Sequence, residues 1–170
     1  YVDTDFIKTL INSALNSHSD IAVCAYYIDS GMNLTKQKAT TEKEISFNNI
    51  QAMKDFFAQK SICGVMTWNK LYKRSLFTNN EITFPIGRIH EDNFTTYKLL
   101  YFAARVCYIS DPLYYYVNRP GSIMNRGYSN NTLDIIDAAE EAYNWVCDKS
   151  IPLVEEVQSY QLNMIINVLN

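Results

Sequence analysis

Between residues 90 and 117 the chain changes its apolar period in mid-course. In "HEDNFTTYKLLYFA" the rings of Phe94, Tyr97 and Tyr101 recur at helical spacing. In "RVCYIS" and "PLYYYV" that spacing gives way to β-branched and aromatic runs of strand character. A helix feeding into strands is the mark of a mixed α/β domain. The Asp111-Pro112 pair predicts a turn that separates the two strands.

The same succession occurs earlier. Residues 3 to 17 put Phe6, Leu10, Ala14 and Ile7, Ile11, Leu15 on one helical stripe, with Asp3 or Thr4 as the cap. "DIAVCAYYI", 20 to 28, reads as a short buried strand. The polar stretch 29 to 44 reads as a surface excursion. Phe47, Ile50, Met53 and Phe57 predict a helix over 47 to 59, and "GVMTWNKLYKRSLF" predicts another after Gly64, its cations gathered toward the last turn. Helical spacing returns from Asn131 through Val146, and a last helix follows Pro152. The order α-β-loop-α-α-loop-α-β-β-α-α lacks the long βα alternation of a complete doubly wound domain. The chain therefore reads as a segment of a longer protein.

Composition removes several classes of function. Fifteen basic and eighteen acidic side chains leave a net charge of -3, without the basic field that a nucleic-acid partner demands. No apolar run approaches the roughly 20 residues that cross a bilayer. Only Lys149 supplies a cation between Asn130 and Asn170, so the last helices make a poor membrane-surface anchor. Cys24, Cys63, Cys107 and Cys147 lie far apart among mostly apolar neighbours, which predicts buried reduced thiols and a cytosolic setting. With only His18 and His90, a zinc site is not expected.

The candidate chemistry gathers around Glu91 and Asp92. Acids in a first helical turn stabilise the helix by a few tenths to about 1 kcal/mol through the macrodipole. The same field keeps a carboxylate deprotonated and able to accept a proton from a bound hydroxyl. Sequence alone leaves both readings open. The preceding "FPIGRIH" has the Gly and Pro to bring backbone close to a ligand, and His90 is placed to assist Asp92 or to meet a leaving phosphate. "TWNKLYKR", 67 to 74, holds an indole, an amide, hydroxyls and cations suited to sugars or phosphates; it also suits a helix with one aromatic in the core. Tyr114, Tyr115 and Tyr116 alternate across a strand, which sends at least one ring to the core. "NRPGSIMNR", 118 to 126, is either a plain turn or an anion-binding one built on Arg119, Arg126 and backbone amides. There is no Ser-His-Asp order, P-loop or G-x-G-x-x-G.

Taken in order, "WNKLYKRSLF" and "ITFPIGRIHEDNFTTYKLLYFAARVCYISDPLYYYVNRPGSIM" resemble the second half of bacterial family 2 glycosyltransferases, which build capsular, exopolysaccharide and cell-wall glycans. The resemblance covers about residues 1 to 128 and leaves 129 to 170 as a C-terminal helical extension. It implies an incomplete A-type sandwich: the acceptor-side half of a mixed sheet with flanking helices, followed by a helical pair. The strand at 21 to 28 would join the central sheet and the tyrosine strand a smaller flanking one.

By the same resemblance Asp92 is the catalytic base, with Glu91, Trp68, Asn69 and Lys70 on the acceptor side and His90, Arg119, Gly121 and Ser122 on the diphosphate side. A divalent metal, Mg or Mn, would be held by a D-x-D motif of the parent. Asp3 and Asp5 match helix-capping acids instead, so no metal ligand is assigned here. The implied reaction is inverting transfer from a nucleotide sugar to a glycan or lipid-linked hydroxyl, in the cytoplasm or at the inner membrane face. The segment alone would be inactive and would self-associate through exposed sheet edge and apolar surface. The alternative is a non-catalytic module that binds carbohydrate or protein.

Overall fold

In the computed structural model two strands form the spine, β1 (Ile21–Asp29) and β5 (Val106–Val117), running side by side and parallel. The structure describes residues 1–37, 40–60, 62–119 and 130–169. Ile21, Val23 and Ala25 enter the core on one face of β1, while Ala22 and Cys24 enter a second core on the other. In β5, Val106 and Tyr108 join the first core and Cys107 and Ile109 the second. A strand covered on both faces reads as continuous apolar sequence, which is why both runs are legible.

Three short strands complete the five-stranded sheet. β2 (Leu34–Lys36) and β4 (Lys70–Tyr72) pair antiparallel with opposite ends of β1, and β3 (Glu44–Phe47) pairs antiparallel with β5. The stretch read as a polar excursion thus supplies β2, exposed throughout, and β3, half-covered. The segment read as a helix after Gly64 is instead loop, then β4, then the single turn α3 (Ser75–Thr78).

Asp111-Pro112 does not divide two strands. Cys24 faces Ile109, Ala25 faces Pro112 and Tyr26 faces Tyr114, so extra residues of β5 bulge at the proline and pairing resumes beyond it. A bulge absorbs the missing N–H of proline without ending the strand. The tyrosine segment therefore belongs to the same sheet as β1, not to a separate flanking one.

The main core is covered by α2 (Asn49–Phe57), α4 (Glu91–Phe102), α5 (Asp134–Asp148) and α6 (Val154–Leu169). A capping box between Asn48 and Gln51 opens α2. Ala139, Ala142 and Val146 of α5 and Val157, Tyr160 and Met164 of α6 share one core with Met53, Phe57 and Leu100. The helical pair is thus packed into the same core as the sheet. Helix α1 (Phe6–Asn16) covers the opposite face through Phe6 and Leu10. Ile7, Ile11 and Leu15, expected inward, are exposed. Asp3 accepts the Asp5 backbone N–H just ahead of the helix. Three cysteines are buried thiols as expected, whereas Cys147 is exposed.

Candidate functional site

The site is built where the start of α4 meets β4 and the loop before it. His90 precedes the helix in a left-handed conformation, φ 57°, with no side-chain cap. Such a conformation is strained for a residue bearing a Cβ and persists where neighbours fix it. The fixing groups are visible. The Ile89 N–H donates to Asp134 Oδ2 at 2.9 Å, and Arg88 Nη1 donates to Asp134 Oδ1 and Asp137 Oδ2, each at 2.6 Å. Gly87, at φ 78°, supplies a turn that favours glycine; a Cβ there would meet open space, so no close backbone approach is involved.

Glu91 is exposed and Asp92 half-buried. Burial first, and the Glu91 charge second, push the Asp92 carboxyl above the usual range; the Asn93 backbone N–H and the His90 charge oppose them. Asp92 Oδ1 accepts from the Asn93 side-chain Nδ2 at 3.1 Å, and Asn93 Oδ1 accepts from the Tyr160 hydroxyl at 2.7 Å. The Asp92 charge also reaches Lys70 and Tyr72 on β4. Tyr72 carries a buried hydroxyl beside Thr96 that meets no hydrogen-bonding partner of good geometry among the described residues.

The W-N-K stretch divides its labour. Asn69, 1% exposed, donates from Nδ2 to the Cys24 carbonyl at 2.8 Å, and the Cys24 N–H returns to the Asn69 carbonyl at 3.0 Å. Lys70, 7% exposed, donates from Nζ to the Gly64 carbonyl at 2.8 Å, to Asn69 Oδ1 at 3.1 Å and to the Met66 carbonyl. Burial lowers its pKa to about 8. Thr96 of α4 donates to the Val65 carbonyl at 2.9 Å. The loop is thereby tied to β1, to β4 and to the helix that carries Asp92.

Trp68, two positions from Lys70, stacks on Tyr114 at 4.3 Å and on Tyr116 at 5.4 Å, with Tyr26 edge-on at 4.8 Å. The structure thus brings Asp92, Glu91, His90 and Lys70 together, with Trp68 presented by the loop that Lys70 organises. Arg119 is exposed beyond the end of β5, and Gly121 and Ser122 lie outside the described residues. Asn93, Tyr160 and Tyr72 were not singled out by sequence. Asn93 adjoins the E-D pair, whereas nothing local marks Tyr160, 67 positions away.

No family model matches the chain. It is 24% identical over its whole length to the glycosyltransferase GlyA of Streptococcus pneumoniae, of which it spans 25%. It is 28% identical over 74% of its length to the putative glycosyltransferase EpsH of Bacillus subtilis, spanning 37% of that protein. The S. pneumoniae glycosyltransferase GlyG is 28% identical over 72% of the chain, which spans 42% of it. The chain thus covers between a quarter and about two-fifths of these relatives' lengths. The structure of S. aureus TarS 1–349 in complex with UDP-GlcNAc superposes with a TM-score of 0.71 at 19% identity, over 96% of this chain and 45% of that one. In sequence the chain is similar to part of the length of proteins named glycosyltransferases, and in fold to part of TarS.

Proposed function

We propose that the chain is the acceptor-side part of an inverting, nucleotide-sugar-dependent glycosyltransferase, with Asp92 as its general base. The carrying observation is a half-buried carboxylate at the start of α4, hydrogen-bonded by Asn93 and raised above the usual range. A base so raised accepts a proton more readily than a solvated carboxylate. The acceptor O–H gives its proton to Asp92 as its oxygen bonds to the anomeric carbon. The bond from that carbon to the nucleoside diphosphate breaks on the opposite side, and the electron pair leaves with the diphosphate. Proton transfer of this kind contributes about 10² to 10⁴-fold.

Trp68, backed by three tyrosines, offers an aromatic face for an acceptor sugar ring. Asn69 and Lys70 serve that face from behind, because their polar atoms are turned onto backbone. Arg119 and His90 remain the candidates for the diphosphate side. The acceptor is a glycan or lipid-linked hydroxyl, and the setting is cytoplasmic or at the inner membrane face. TarS, in its complex with UDP-GlcNAc, supports a nucleotide sugar as donor. The resemblance puts the divalent metal on a D-x-D motif of the parent; here the Asp3 carboxylate accepts the Asp5 backbone N–H and Asp5 pairs with Lys8. The 170-residue segment alone is therefore inactive, and it self-associates through the exposed Ile7, Ile11 and Leu15 of α1.

The test is Asp92→Asn in the full-length parent. Transfer falls by about 10² to 10⁴-fold while donor binding, read by calorimetry, stays within about twofold. Unchanged turnover would remove Asp92 from the chemistry.

A further inference from the structure

We infer that Tyr160, on the last helix, is a positioning residue that keeps Asp92 in its proton-accepting form by fixing the Asn93 amide. The inference rests on the reading of Asp92 as the base.

Tyr160 and Asn93 are 2% and 6% exposed, and the bond between them is fully buried. A carboxamide has one accepting and one donating end. Burial, and then the Asp92 charge, push the ionisation of Tyr160 upward, so at neutral pH its hydroxyl keeps its proton and donates. With the hydroxyl giving its proton to Asn93 Oδ1 at 2.7 Å, the amide oxygen faces Tyr160 and the NH2 group is left for Asp92 Oδ1, as observed at 3.1 Å. The reverse orientation would set a carbonyl oxygen against the carboxylate and favour the protonated acid. The Tyr160 ring is itself held by Phe56 and Phe57, with centroids 5.6 and 5.5 Å away.

Asp92 is also faced by Lys70 and Tyr72 from β4 and neighboured by Glu91 and His90. Among these groups Tyr160 acts through a hydrogen-bonded amide that has two possible orientations. Helix α5 contributes from the other side, where Asp134 holds Arg88 and Ile89 and Glu141 accepts from Tyr97 and Lys98. The helical pair to which the family resemblance gives no role is part of the frame of the site.

The experiment is the pH dependence of kcat/KM in the full-length parent for Tyr160→Phe, Asn93→Ala and the double variant, beside Asp92→Asn. Tyr160→Phe moves the acid limb up by about one pH unit and lowers the rate below that limb about tenfold, with convergence on the unsubstituted enzyme at high pH. A merely structural role would lower the rate at every pH. Asn93→Ala reproduces the shift, and Tyr160→Phe adds nothing to it. An unshifted limb in both single variants, with Asp92→Asn inactive, overturns the relay alone. Turnover surviving in Asp92→Asn overturns the base assignment instead.

Discussion

Replacing Lys70 by Met tests how the loop beneath Trp68 is held. At neutral pH the ammonium gives three hydrogen bonds, to Gly64, Met66 and Asn69. Bonds from a charged donor are each worth about 1.5 to 3 kcal/mol. Against them stands the burial that lowers the pKa from 10.5 to about 8, equivalent to about 3 kcal/mol. Removing both leaves the variant less stable by about 2 to 5 kcal/mol near neutral pH. The sign of the pH dependence is set by the downward shift. As pH rises through about 8 the folded chain loses this proton, while the unfolded chain keeps it until 10.5. Over that window the unfolded state binds more protons, so the unsubstituted chain gains stability with pH, by about 2 kcal/mol between about pH 7 and about pH 9.5. The Met variant lacks this gain, and the difference between the two cancels the titrating groups that Lys70 does not touch. Urea unfolding of both at matched pH reads it directly. A difference that stays flat across the window would refute a buried, charged Lys70.

Trp68→Ala in the parent raises the acceptor KM about tenfold and leaves the donor KM within about twofold; equal effects on both substrates would take Trp68 off the acceptor side. The double substitution Ile11→Glu, Leu15→Lys converts the isolated segment to a monomer in size-exclusion chromatography with light scattering, since it breaks the exposed stripe of α1. A segment that is monomeric without those substitutions removes the self-association.

The readable parts of the fold are those in which one physical pattern runs for many residues. α4 and β5 lie within a few residues of where the pattern puts them, since Phe94, Tyr97, Leu99 and Leu100 of α4 and Val106 to Ile109 of β5 are buried. α1 shows the limit of that logic. Phe6-Leu10-Ala14 and Ile7-Ile11-Leu15 are both apolar, and pattern alone cannot say which row meets the sheet. β4 is three residues long and takes its identity from backbone pairing with Ile21, Ala22 and Val23, a partner about 50 positions away. In the site, the E-D pair and the W-N-K stretch are legible as residues. The inward turn of Asn69 and Lys70 is not, since their partners are backbone carbonyls whose position only the fold defines. Tyr160 is hidden for the same reason, reaching Asn93 across the core from another helix.

Lys70 and Asp92 show why support and chemistry share one place. Burial moves both toward their neutral forms, the ammonium downward to about 8 and the carboxyl upward. Lys70 at about 8 is still mostly charged at neutral pH, and it feels the charge of Asp92. Coulombic attraction is mutual, so the cation that organises the loop also favours the Asp92 anion, as a smaller influence there than burial, Glu91, the Asn93 N–H and His90. An uncharged residue at this position would lose the three bonds that hold the loop and would also leave Asp92 more easily protonated. The charge therefore acts on the carboxylate as well as on the loop, and the bonds it gives outweigh its burial.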